Sequence, residues 1–239
     1  MPFTFSHPAI ILPLKRWVHK LSLSALIIGS TTPDFEYFIN MKMKGSWGHS
    51  WEGLLWFNLP IGLVLYLLWH SAVKKPLIEN LPVPIKARMQ PDYHFDGVAW
   101  LKQRWLWVIL SLLMGSASHI LWDGFTHAHT WATPYLPFLQ YYWSILGYDV
   151  AAYSLFQHGS TLLGGLILMG VLIKQPQYPI SNHTKPAFWG WWALLTLIIA
   201  GVRLIWLDCP WFYGDLVATA IAAGMWALII TCLVFINRK

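Results

Sequence analysis

Three residues set four apart, His119, Asp123 and His127, carry the densest chemistry in the chain. A helix turns once every 3.6 residues, so positions i, i+4 and i+8 line one stripe, and two imidazoles and a carboxylate there can face one point. Neutral imidazole and carboxylate each offer a lone pair at about 2.0 to 2.2 Å, which suits Zn and also Mn or Fe. A bound cation offsets the cost of burying the carboxylate. If the helix stops at Gly124, the following turn can bring back either His127 or His129. For the H-x3-D pair alone, the plainer alternative is a capped helix end with an Asp to His hydrogen bond.

Further candidates lie on both sides of this stripe. His7 precedes Pro8, Asp34 follows Pro33, His49 sits in Gly48-His49-Ser50, and His158 sits in Gln157-His158-Gly159-Ser160. Taken singly, each reads as a loop histidine, a turn residue or a helix cap. Taken together at the ends of apolar runs, where an ionisable group must find a partner, they predict a divalent metal site.

The elements that position these residues must be membrane helices. The 239 residues are 56% hydrophobic and 11% charged, with 17 Trp, 12 Phe and 10 Tyr, and the mean hydropathy is +0.49. That composition excludes an ordinary soluble enzyme and a disordered chain. Four runs are long enough to span: Trp105 to Trp122, Phe156 to Ile173, Phe188 to Trp206 and Leu216 to Ile236. A fifth, Leu54 to Trp69, is interrupted by Asn58 and Pro60. The fold expected is all-α, a polytopic bundle of five transmembrane helices in one membrane-embedded domain. Residues 1–53 form its N-terminal motif segment, 54–173 the first three spans and 174–239 the last two. Ala9 to Ser30 carries Lys15, Arg16, His19 and Lys20 in its middle and reads as an interfacial helical segment rather than a span. No secretory signal precedes it, so the N-terminus is expected to remain. Ser71 to Arg104 reads as a polar, Pro-containing loop.

The net charge of +6 does not point to nucleic acid, because the 16 Lys and Arg are strung between apolar runs and form no basic, aromatic-interleaved face. They report topology instead. The loops after the first and third spans and the tail Arg238-Lys239 carry the basic residues, whereas Asp123 to Leu155 and Leu207 to Gly214 contain none. Basic loops face the cytoplasm, so the candidate site is placed on the outer, periplasmic side of a bacterial inner membrane. The basic residues of the segment before the first span run against that rule. Cys232 lies about 17 residues, roughly 25 Å, along the last span and Cys209 lies before it, so no disulfide is expected. Arg203 and Asp208 read as an interfacial ion pair, Phe188-Trp189-Gly190-Trp191-Trp192 as an aromatic belt, and Gly164-Gly165 as a site of close helix packing.

The ordered motifs Met1-Pro2-Phe3-Thr4-Phe5-Ser6-His7-Pro8, Gly29-Ser30, Pro33-Asp34-Phe35-Glu36, Gly48-His49-Ser50, Ser118-His119, Trp122-Asp123-Gly124-Phe125-Thr126-His127 and Gln157-His158-Gly159-Ser160-Thr161 resemble the bacterial domain-of-unknown-function family 4184 over essentially the whole chain. The ligand order is distantly similar to the LexA-regulated inner-membrane metal-dependent hydrolases. It is also similar to the all-helical zinc phospholipase C and fungal zinc nuclease superfamily, whose members hydrolyse phosphate esters on three zinc ions. That resemblance implies His7, Asp34, His49, His119, Asp123 and His158 as metal ligands. His129 fits the phospholipase spacing and His127, ranked first, the shorter family motif. The chain departs from the phospholipases at Leu162, where they carry Glu, and in beginning Met1-Pro2 rather than with a processed Trp. A site of one or two metals is therefore expected rather than three.

The function expected is a membrane-bound metal-dependent hydrolase of phosphate esters or phospholipid headgroups, its lipid substrate arriving by diffusion in the bilayer. Asp34 would orient the attacking water and Glu36 or Glu52 would serve as base. His119, Asp123, His49 and Asp34 would hold one ion, with His127 and His158 on another. The alternative is a non-catalytic metal-binding membrane protein or a transporter. A transporter should carry ionisable groups near mid-span, and the third and fifth spans lack them apart from His158 at one mouth.

Overall fold

The computed structural model describes residues 3–17, 20–180, 185–206 and 212–236. The expected all-α fold is met by a mostly helical chain in which five helices are long and apolar enough to cross a membrane: Leu54–Asn80, Gly97–Thr126, Ala152–Ile173, Pro186–Ile205 and Tyr213–Phe235.

Short helices come first: α1 (Pro8–Ile11), α2 (Leu23–Gly29) and α3 (Phe35–Asn40). The first span opens with a π-helical stretch, Leu54–Asn58, continues as α4 (Leu59–Leu68), and passes through a second π-helical stretch, Trp69–Val73, into α5 (Lys74–Asn80). Next come α6 (Val83–Arg88), α7 (Gln90–His94) and the long α8 (Gly97–Thr126), so most of the segment expected as a polar loop is helical. Pro82, Pro84 and Pro91 fall at or next to helix starts, where a missing N–H costs nothing. A hairpin of β1 (Tyr142–Ile145) and β2 (Tyr148–Ala151) precedes α9 (Ala152–Ile173). Its turn residues Leu146 and Gly147 both have positive φ, 52° and 83°, the backbone of a two-residue hairpin turn. Helices α10 (Pro186–Trp206) and α11 (Tyr213–Phe235) complete the chain.

The chain forms two compact units, each discontinuous in sequence. The first comprises Met1–Asp34, Trp47–Leu63 and Arg104–Ile173; the second comprises Phe35–Ser46, Val64–Gln103 and Lys174–Lys239. One boundary falls inside α8 at Arg104, whose φ of −135° and ψ of 40° break the helical backbone.

In the first unit the segment expected at the interface is broken into α1, a 3₁₀ stretch over Leu12–Trp17 and α2. Ile11, Leu21 and Leu26 form a buried cluster, so this segment supplies core. Ser22 caps α2 by accepting a hydrogen bond from Ala25 N–H. Helix α2 packs close against α8 because both lack side chains where they meet. A Cβ on Gly29 would stand 2.2 Å from the Leu112 carbonyl oxygen, and one on Gly115 would stand 2.3 Å from that of Leu26. Gly164 on α9 likewise admits Ser6, while Gly165 faces open space. Elsewhere on α9, Leu162, Leu166, Met169 and Ile173 form an exposed stripe, a costly surface in water and an ordinary one in lipid.

In the second unit α10 packs along α11. Val73, Phe188, Cys232 and Phe235 form its buried cluster, and the Trp192 indole N–H donates to the Gly224 carbonyl at 2.9 Å. His19, Asp208, Cys209 and the tail Arg238-Lys239 lie outside the described residues, and with them the expected disulfide absence and the Arg203 to Asp208 pair.

Candidate metal centre

Helix α8 supplies the centre's spine. Its residues Ser111, Gly115, His119 and Asp123 recur every fourth position, and the first three meet the segment around α2. The Ser111 hydroxyl accepts from Ser22 N–H at 3.0 Å, Gly115 admits the Leu26 and Ser30 backbone, and His119 Nδ1 lies 2.8 Å from the Ser30 carbonyl oxygen. A carbonyl can only accept, so Nδ1 carries a proton and Nε2 is the nitrogen turned to the other side. A backbone partner on the second nitrogen is what orients metal-binding histidines.

Three further segments reach the same point. The 3₁₀ turn Thr4–Ser6 sets His7, tied to α9 by Phe3 N–H donating to Thr161 Oγ1 at 2.9 Å and Ser6 Oγ donating to the Thr161 carbonyl at 3.0 Å. The 3₁₀ turn Thr32–Asp34 after α2 sets Asp34. The turn at Gly48 sets His49. A Cβ on Gly48 would stand 2.1 Å from the Pro33 carbonyl oxygen, and the buried Asn58 amide donates to the Gly48 carbonyl at 2.8 Å. Asn58 and the π-helical stretch that holds it thus lock the His49 turn.

Asp123 stands at the middle. Its Oδ1 is 3.6 Å from His7 Nε2 and 3.7 Å from His127 Nδ1, and its Oδ2 is 3.2 Å from His49 Nε2 and 3.3 Å from His119 Nε2. Asp34 Oδ1 is 3.2 Å from His49 Nε2 and 3.6 Å from His119 Nε2. The His7 and His119 rings stack with centroids 3.7 Å apart. His7, Asp34, His119 and Asp123 are buried, while the His49 and His127 side chains keep 24% and 27% exposure and form the open edge.

These separations are long for hydrogen bonds. They fit the edges of a coordination polyhedron, since ligand atoms sharing an ion at about 2.0 to 2.2 Å stand roughly 3 to 3.6 Å apart. The orphaned atoms agree. His7 Nε2, Asp34 Oδ1, His119 Nε2, both Asp123 oxygens and His127 Nε2 are buried with no hydrogen-bond partner, where each such group costs about 1 to 3 kcal/mol. A cation at this point would satisfy them together. Two triads have ligand atoms mutually within 4.8 Å, His7 with His119 and Asp123, and Asp34 with His49 and His119. They share His119 Nε2, a single lone pair, so they describe one five-residue site rather than two ions each held by His119.

The local electrostatics suit that chemistry. Burial, then the neighbouring His119, pushes His7 down to about 3, so its ring is neutral at physiological pH. Burial raises the Asp34 carboxyl, but the imidazoles of His119 and His49 outweigh it and hold Asp34 below the usual carboxylate range. For His49, burial is outweighed by the adjacent Asp123 and Asp34 carboxylates, which raise it. Burial lowers His127. Its Nδ1 lies 3.1 Å from the Asp123 carbonyl oxygen and 3.1 Å from Thr126 Oγ1.

The structure thus assembles His7, Asp34, His49, His119 and Asp123, with His127 beside them. His129 is exposed, with φ of 55°, and His158 is exposed on α9; neither belongs to a triad. Glu52 is exposed ahead of the first span. Glu36 lies in the second unit, its Oε1 accepting from Ser46 N–H at 3.0 Å. Sequence reasoning missed Thr4, whose hydroxyl donates to Asp34 Oδ2 at 2.5 Å, and the Ser30 carbonyl. The repeat of small residues at 111 and 115, in step with 119 and 123, was the available signal.

Residues 1–233 match the family model described as Domain of unknown function (DUF4184). No curated protein and no solved structure matches the chain.

Proposed function

The chain belongs to the DUF4184 family, and we propose that it is a membrane-embedded, metal-dependent hydrolase acting on a phosphate ester such as a phospholipid headgroup. The observation that carries this reading is the convergence of buried, orphaned lone-pair atoms from His7, Asp34, His119 and Asp123 beside a partly open edge. His7, His49, His119, Asp34 and Asp123 hold the ion, with zinc the first choice and manganese or iron the others, because three imidazoles and two carboxylates suit all three. A metal held by these residues would supply Lewis acidity and make water a nucleophile near neutral pH.

The chain's own groups do the remaining work. Thr4 and the Ser30 carbonyl hold Asp34 and His119 in position. His127 stands at the open edge, and its lowered pKa leaves it neutral near pH 7, so it is the group placed to accept a proton. Burial of the other ligands keeps bulk water from the inner side of the cluster. The distribution of Lys and Arg supports a site on the periplasmic face of a bacterial inner membrane.

The test is metal per chain by mass spectrometry on detergent-purified protein, followed by hydrolysis of p-nitrophenyl phosphate and of phospholipids. About one ion per chain in the wild type, lost in Asp123→Ala together with hydrolysis, is the expected result. Stoichiometric metal without hydrolysis of either substrate class would leave the metal-binding protein and remove the enzyme. No metal after reloading would overturn the reading.

A further inference from the structure

The second unit contains a cavity of about 580 Å³ lined by Glu36, Asn40, Lys42, Lys44, Gly45, Ser46 and Arg203. Its lining thus holds three cations and one carboxylate. Arg203, in the last turn of α10, is 4% exposed, and a guanidinium keeps its charge when buried.

The segment carrying the lysines is built rather than slack. Met41 takes a left-handed φ of 49°, and its carbonyl accepts from the Thr219 hydroxyl at 3.1 Å. Met43 N–H donates to Asp215 Oδ1 at 2.7 Å, and the Asn40 amide donates to the Lys44 carbonyl at 3.0 Å. Glu36 closes the turn by accepting from Ser46 N–H. Gly45 lies so close that a Cβ would stand 2.7 Å from the Glu36 carboxyl. Glu36 is thereby a clamp for the loop. Asp215 and Thr219 of α11 hold the loop's backbone, which leaves Lys42 and Lys44 to line the cavity.

We propose that this cavity binds a phosphate group. The ammonium groups of Lys42 and Lys44 offer point charges and donors to phosphate oxygens, and the Arg203 guanidinium adds fixed positive potential at the cavity wall. The Asn40 amide and the Ser46 hydroxyl are neutral groups able to complete the recognition. The volume exceeds what a bare phosphate needs and falls in the range of small-molecule sites, so a phosphate-bearing lipid headgroup and free phosphate share the same recognition chemistry. The proposal does not rest on the hydrolase reading.

The full chain is tested in neutral detergent by equilibrium dialysis with radiolabelled inorganic phosphate, and separately with a fluorescent phosphatidate in phosphate-free buffer. Saturable binding of either probe, weakened at least tenfold in Lys42→Gln/Lys44→Gln with metal content unchanged, is expected. Binding of phosphate alone identifies the free anion as ligand, and binding of phosphatidate alone identifies the headgroup. Arg203→Gln is a second variant, and the exposed or half-exposed lysines keep the test valid if burial makes that one unstable. Wild-type binding in the lysine double variant, or no saturable binding of either probe, overturns the proposal. Asp123→Ala separates the two readings: it should keep phosphate binding, and loss there with retention in the lysine variant would move the phosphate to the metal centre.

Discussion

The Thr4 hydroxyl donates to Asp34 Oδ2 across 2.5 Å, and in doing so turns the other oxygen, Oδ1, toward His49 and His119. Both residues are buried, so the bond orients a candidate ligand from outside the proposed coordination shell. Removing such an outer partner typically costs 10- to 100-fold in metal affinity. Thr4→Val should show a loss of that size in a chelator competition, and Thr4→Ser, which keeps the hydroxyl, should restore it. Equal affinity in Thr4→Val and wild type would assign the bond to packing alone.

The contact between α2 and α8 makes a second expectation. Gly29→Ala or Gly115→Ala places a methyl group 2.2 to 2.3 Å from a backbone carbonyl oxygen that cannot swing aside. Overpacking costs typically about 1 to 3 kcal/mol, and here it also moves the Ser30 carbonyl from His119. Thermal unfolding should shift down with metal lost in parallel, whereas Gly165→Ala and Gly170→Ala, which face open space, should match wild type.

The five spans were legible because lipid demands about 20 apolar residues in sequence, a signal that needs no tertiary knowledge. The ligand stripe at His119 and Asp123 was legible for a similar reason, being local to one helix. His7, Asp34 and His49 were nameable as types, but their meeting depends on a 3₁₀ turn, the Gly48 turn and the Asn58 amide, contacts that the sequence order does not encode locally. His158 shows the limit of order alone: it follows the resemblance, yet the described structure leaves it exposed on α9. The segment from 71 to 104 looked like a loop because its prolines read as breakers, whereas several of them stand at helix starts.

That difference in placement gives a direct contrast. His119→Ala removes the ligand shared by both triads and should abolish bound metal, while His158→Ala and His129→Ala should retain it. The measurement is metal per chain on variants that elute as wild type in detergent. Metal loss in His158→Ala equal to that in His119→Ala would bring α9 into the coordination shell and overturn the five-residue assignment.

Metal uptake should also be linked to pH through His49. An imidazole must be neutral to bind an ion, so any proton it carries is released on binding. In the metal-free protein the carboxylates of Asp123 and Asp34 raise His49 above 6.5 against the cost of burial, whereas His7, near 3, holds no proton to release. Affinity should therefore rise with pH from 6.5 upward until His49 is deprotonated. Isothermal titration in two buffers of different ionisation heat should show net proton release at pH 7. The stability of the metal-free protein has the opposite sense at His49: a raised folded pKa contributes stability that is full below 6.5 and is lost as pH rises through the folded value. His7 acts on the acid side. Its folded pKa is depressed, so between 6.5 and about 3 the unfolded chain binds a proton that the folded chain does not, and stability falls as the pH falls. In chelator-treated protein His7→Gln should accordingly flatten the acid limb of the stability profile between pH 6.5 and about 3. A pH-independent affinity between 6.5 and 8 would show that His49 enters the reaction already neutral.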